Sequence, residues 1–126
     1  MNKLMSDNTT QSTETLKNLI LSTIDDMKGV DIVELDVRDK TSVTDLLIIA
    51  SGTSSRHVKS IAVSVASEAK KSGAKTLGME GEDQGEWVLV DLGDIIVHIM
   101  QPQVREFYDL EKLWSFDESS EVVAKS

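Results

Sequence analysis

No cysteine occurs in the 126 residues, so disulfides, thiolate metal sites and thiol nucleophiles are all excluded. That absence suits a reducing compartment. Basic charge is also short, with 13 Lys and Arg against 22 Asp and Glu and a formal net charge of −9. Recognition of a phosphate backbone relies on many Lys and Arg contacts, and here the positive residues are scattered without a basic stripe. Direct DNA binding is not expected, RNA can contribute little, and the fitting partner is a basic protein. Long hydrophobic runs are missing as well. The longest, Leu46 to Ala50, is far too short to cross a bilayer. The opening MNKLMSDNTTQSTE has neither a signal core nor an Arg-rich amphipathic pattern. A cytoplasmic protein with no membrane contact is the expectation.

What is present reads as one domain over residues 13–116, with flexible tails at 1–12 and 117–126. The first tail is polar and aperiodic, the second acidic and Ser-rich. From Leu16 a helical stripe begins, with Leu16, Leu19, Ile20, Ile24 and Met27 at three- and four-residue steps before Gly29. Residues 31–37, DIVELDV, alternate as a strand; residues 45–51 are apolar on both faces, as an interior strand would be. A second helix carries Val58, Ile61, Ala62, Val65, Ala66 and Ala69 on one face. Thr53 or Ser54 caps it, Lys70 and Lys71 suit its negative end, and Gly73 stops it. Residues 75–79 form a short strand, and Pro102 opens a short third helix bearing Val104, Phe107, Tyr108 and Leu110.

The informative stretch is Glu86–Met100, EWVLVDLGDIIVHIM, two apolar runs around Asp91-Leu92-Gly93-Asp94. A two-residue turn at Leu92-Gly93 pairs Asp91 with Asp94 and sets Trp87 directly across from His98. Alternation then places Val88, Val90, Ile95, Val97 and Ile99 on one wholly apolar face that meets the helices. Trp87, Leu89, Asp91, Asp94, Ile96, His98 and Met100 share the other. In the first strand, Val33, Leu35 and Val37 match the helix-covered side, and Ile32, Glu34 and Asp36 match the mixed one. The expected architecture is α/β (α+β): a sheet of about five strands with helices mainly on one face and the other largely open. Large apolar groups among acids have the composition of a docking patch, although Trp87, Leu89 and Met100 covered by helix three or by the segment around Trp114 would read the same way.

No catalytic constellation stands out. Ser51-Gly52-Thr53-Ser54-Ser55 at a strand-to-helix junction lacks a P-loop Lys and the spaced glycines of a dinucleotide fingerprint, so capping explains it. His57 and His98 have no metal-ligand spacing, and Ser55 with His57 diverges in direction at a helix start. Asp91 and Asp94 are the only carboxylate pair near the spacing a two-metal site asks for. Neither a metal nor a cofactor is expected.

Taken in order, Asp25-Asp26-Met27-Lys28-Gly29, Asp31-Ile32, Leu35-Asp36-Val37, Thr44-Asp45 and Ser51 to Val58 resemble the ribosomal silencing factor family, the Iojap-like proteins. The resemblance continues through Glu80-Gly81, Trp87, Asp91 to Asp94, Val97 to Met100, Arg105, Phe107-Tyr108, Leu110-Glu111 and Leu113-Trp114. It implies a mixed sheet similar to a nucleotidyltransferase core without the catalytic motif, and no enzymatic activity. It further implies binding to the large ribosomal subunit through large-subunit ribosomal protein fourteen, which blocks joining of the small subunit and represses translation under nutrient limitation. Carried over residue by residue, the partner surface falls on Trp87, Asp91, Asp94, His98, Arg105 and Tyr108, with Glu80 and neighbouring residues at its edge; the hairpin pattern adds Leu89 and Met100. Three other uses stay open: large-subunit assembly through the same surface, a metal-dependent nucleotidyltransferase-like enzyme using Asp91 and Asp94, and a homodimer of the free protein.

Overall fold

Two long helices pack on one face of a mixed five-stranded sheet. The computed structural model describes residues 2–115, with side-chain detail from Thr13 to Lys112. The chain runs α1 (Asn2–Asp26), β1 (Val30–Asp36), β2 (Leu46–Ser51), α2 (Ser55–Lys71), β3 (Gly78–Glu80), β4 (Trp87–Asp91), β5 (Ile95–Met100), α3 (Pro102–Tyr108) and α4 (Leu110–Ser115). Strand order is β1-β2-β5-β4-β3. Strands β2 and β5 pair in parallel; the other neighbours are antiparallel.

Every residue of β2 is buried, as an apolar interior strand requires. Its Leu46, Ile48 and Ala50 join Val88, Val90, Ile95, Val97 and Ile99 under Ile20 and Ile24 of α1 and Val58, Ile61, Ala62 and Val65 of α2. Each fully buried aliphatic side chain contributes roughly 1.5–3 kcal/mol to such a core. Ser54 caps α2, its Oγ accepting from the His57 N–H at 3.1 Å. Ser54→Ala is expected to cost about 1 kcal/mol, read as a lowered midpoint in urea; an unchanged midpoint would mean that water replaces the cap at no cost.

Several expectations are corrected. Helix α1 begins at Asn2, so residues 2–12, expected as a tail, have helical backbone; once a helix is nucleated, each added residue gains a hydrogen bond without an apolar stripe. The tail expected at 117–126 lies outside the described residues. The third strand is Gly78–Glu80 rather than 75–79. The third helix is two, broken at Asp109, which takes a left-handed φ of 52° and donates its N–H to the Arg105 carbonyl at 2.8 Å.

The β4–β5 register is also displaced by two residues. Trp87 pairs with Met100, Leu89 with His98 and Asp91 with Ile96. The turn centres on Gly93-Asp94, because Gly93 supplies φ +89° at the first central position, where a II′ turn asks for glycine. A shift of two preserves parity, so the division of faces holds for the strand residues.

In β1 the faces are reversed. Val33 pairs with Ile49 and Leu35 with Leu47, whereas Glu34 pairs with Ile48 on the side of the long helices. There Ile32 packs against the core, and Glu34 meets the Lys17 ammonium of α1 at 3.5 Å. Glu34 stays exposed to solvent, which makes a carboxylate tolerable at the rim of the helix layer. The second face is consequently more apolar than expected and less open. Val37, Leu47, Ile49 and Met100 are buried outside the main cluster. α4 lies against β1, and Arg105 of α3 reaches Ser51 at the end of β2.

Candidate functional site

The pairings order the second face into rows that cross the strands. One row runs Val33, Ile49, His98, Leu89, Glu80; the next brings together Ser51, Met100 and Trp87. Asp91 lies one row to the other side, beside Ile96. Glu80, Trp87, Leu89 and Asp91 thus gather at the β3–β4 edge. Strand alternation and hairpin geometry suffice to put them there.

Trp87 is half-buried and anchors the region. Its Nε1–H donates to His98 Nδ1 at 3.0 Å, from the neighbouring row rather than from directly across. Its ring also lies 5.0 Å from that of Tyr108, which meets Phe107 edge-on at 4.9 Å. Such tilted and edge contacts suit the charge distribution of aromatic rings. Tyr108 is 55% exposed and Phe107 79%. A groove of about 350 Å³ runs between Tyr108 and the β3–β4 loop, lined by Glu80, Glu86, Trp87, Leu89, Val104 and Tyr108 among others.

Three of the residues expected to touch a partner face inward. Met100 is 0% exposed and can only support the surface from behind. His98 is 8% exposed, and burial pushes its imidazole down to about 4. Its ring is therefore neutral near pH 7, with Nδ1 accepting from Trp87. Arg105 is also 8% exposed; its Nε and Nη2 both donate to Glu111 Oε2, at 2.9 and 2.7 Å, and its Nη1 donates to Ser51 Oγ at 2.9 Å. That guanidinium holds the Glu111 carboxyl below the usual carboxylate range.

Asp94 does not join the group. The displaced turn makes it a central turn residue whose carboxylate accepts from Thr13 Oγ1 of α1 at 3.3 Å. Asp91 remains by the second face and caps the turn, its Oδ1 accepting from the Gly93 N–H at 2.9 Å. The two carboxylates thus do not converge, and among the described residues no group of three or more His, Cys, Asp or Glu is placed to hold a metal ion. His57 is committed as well: its Nδ1 accepts from the Thr53 N–H at 2.9 Å, and its Nε2 bonds the Met27 carbonyl at 2.7 Å. It ties α2 to the end of α1.

Because His98 titrates lower in the folded chain than the ordinary 6.5, the unfolded chain binds more protons between about pH 6.5 and 4. Stability contributed by the neutral ring is therefore full above 6.5 and falls as pH drops through that window. Between pH 7 and 5 the loss is expected to be about 2 kcal/mol, read as the difference between the native chain and His98→Gln in urea denaturation. Parallel pH dependences for the two would overturn it.

Comparison with known proteins identifies relatives of the chain. The family described as "Ribosomal silencing factor during starvation" matches residues 10–126. The chain belongs to the ribosomal silencing factor family. Among family members it is 51% identical over 100 residues to the ribosomal silencing factor of Haemophilus influenzae, covering 79% of this chain and 98% of that one. A mouse relative, "Mitochondrial assembly of ribosomal large subunit protein 1", is 33% identical over 113 residues, 85% of this chain and 50% of that protein. The crystal structure of a Chromobacterium violaceum protein superposes with a TM-score of 0.80 at 45% identity, covering 81% of this chain and 85% of that one.

Sequence reasoning missed Glu86, Val104 and Glu111 as site residues and placed Gly81 only among the neighbours of Glu80. Gly81 carried a signal, since Glu80-Gly81 before a strand invites a positive φ, and φ is indeed +89°. Glu111 did not. It stands six residues after Arg105, a separation that no continuous helix turns into a contact.

Proposed function

We propose that this chain docks on the large ribosomal subunit through large-subunit ribosomal protein fourteen, at the surface that meets the small subunit, and represses translation by blocking subunit joining. Family membership carries this reading. The aromatic edge made by half-buried Trp87 and exposed Tyr108, flanked by Glu80 and Glu86, supplies a surface of suitable chemistry: apolar anchors give affinity, and carboxylates give complementarity to a basic protein. The net charge of −9 favours the same class of partner and predicts association that slows as salt rises. Action in the cytoplasm follows from the same reading. Among the described residues no helix is long and apolar enough to cross a membrane.

The name of the mouse relative favours a second use of that surface, in assembly of the large subunit. Free copies of the chain could also cover the exposed aromatics by pairing; light scattering across a dilution series reads that competing use. The deciding experiment is sedimentation through sucrose gradients with purified large and small subunits. Co-migration with the large subunit alone, with fewer joined ribosomes when the small subunit is added, is the expected result. Co-migration that leaves joining intact moves the function to assembly, and no co-migration at low salt overturns both readings.

A further inference from the structure

Arg105 is buried and bonded within its own chain. Helices α3 and α4 span Pro102–Tyr108 and Leu110–Ser115, each far shorter than an isolated helix needs to hold its form in water. They depart from a linear continuation at Asp109, whose left-handed φ of 52° ends α3 in a turn. Inside that turn the Arg105 guanidinium bridges three elements: its own helix, Glu111 of α4 through two donors, and Ser51 at the end of β2. Glu111 accepts both bonds on one oxygen, the shorter at 2.7 Å, and bonds between charged groups are about twice as strong as neutral ones. The bridge fixes how α3 is rotated on the sheet. Val104 and Tyr108, four residues apart on that helix, line the groove, and Tyr108 stands 5.0 Å from Trp87.

We infer that Arg105, Glu111 and Ser51 form a clip that positions the aromatic docking edge, with Arg105 a positioning residue rather than a partner contact. The inference rests on the docking reading above. It assigns partner recognition a dependence on Glu111, which lies across the helix break from the groove and does not line it. Glu111→Gln keeps the shape of the side chain but loses the charge that holds the fork. Arg105→Lys keeps the charge but loses the planar fork, which a lysine cannot reproduce.

The test uses the full chain, purified large ribosomal subunits, and cross-peaks in NMR between the Trp87 indole N–H and the Tyr108 ring. In Glu111→Gln and in Arg105→Lys those cross-peaks are expected to weaken while the core methyl signals stay in place. Affinity for the large subunit is expected to fall roughly tenfold, and combining Glu111→Gln with Tyr108→Ala should add little to Tyr108→Ala alone. Intact cross-peaks in Glu111→Gln overturn the clip. Intact cross-peaks in Arg105→Lys, with an affinity loss that adds fully to that of Tyr108→Ala, make Arg105 a partner contact and overturn its assignment. Native affinity in Tyr108→Ala is a separate failure: it removes the docking edge itself, whatever the cross-peaks show.

Discussion

Truncating Trp87 to alanine is expected to weaken binding to the large subunit by about 2 kcal/mol or more, roughly thirtyfold in Kd. The indole joins β4 to its neighbouring strands and to α3. It sits in the row of Met100 and Ser51, donates to the buried His98, and backs the exposed Tyr108 ring. Its loss removes apolar contact area and releases Tyr108 from its position, so the binding cost should exceed that of an ordinary rim contact. Trp87→Phe separates the contributions. Phenylalanine keeps an aromatic body but no N–H, so it should lose about 1 kcal/mol of stability from the hydrogen bond and only part of the binding energy. Gradient co-sedimentation at fixed salt, beside urea denaturation of each variant, reads both quantities. A well-folded Trp87→Ala with native affinity would remove Trp87 from the interface.

Legibility in the sequence followed the strength of the local physics. β2 and α2 were readable because a fully apolar strand and a clean helical stripe each admit one burial, and Ser54 stood where a cap belongs. The hairpin faces survived a misplaced turn because an error of two residues leaves every side chain on its side. β1 had no such protection. Its alternation separates Val33 and Leu35 from Ile32 and Glu34, but nothing local says which set meets the long helices. That was decided by the coverage that α3 and α4 give the second face, with Glu34 left exposed at the rim of the other. The candidate site was legible as a grouping, with Trp87, Leu89 and Asp91 from the hairpin pattern and Glu80 from the resemblance, and not as a geometry. Whether His98, Met100 and Arg105 face outward depends on contacts across the fold. The bond between Arg105 and Glu111 exists only because Asp109 breaks the helix.

Gly81 bears the second large effect, on stability and on the site together. It follows Glu80, the last paired residue of β3, with φ at +89°, a conformation that costs a non-glycine residue about 1–3 kcal/mol. A Cβ there would also collide with the carbonyl oxygen of Trp87, and overpacking of this kind typically adds about 1–3 kcal/mol. Gly81→Ala is therefore expected to lose roughly 3–5 kcal/mol of stability. Relief of the clash must push the backbone at Trp87, so the indole should shift away from His98 and Tyr108 and binding should fall with it. Two other glycines separate the causes. Gly73 has φ +102° with nothing within 4 Å of where a methyl would stand, and Gly78 has open space without the positive φ. Gly73→Ala should show the backbone strain alone, and Gly78→Ala neither effect. Denaturation midpoints of the three variants give the ordering, and the Trp87 indole N–H signal reports the displacement. If Gly81→Ala costs no more than Gly73→Ala and leaves that signal in place, the close approach of Gly81 to Trp87 does not shape the docking edge.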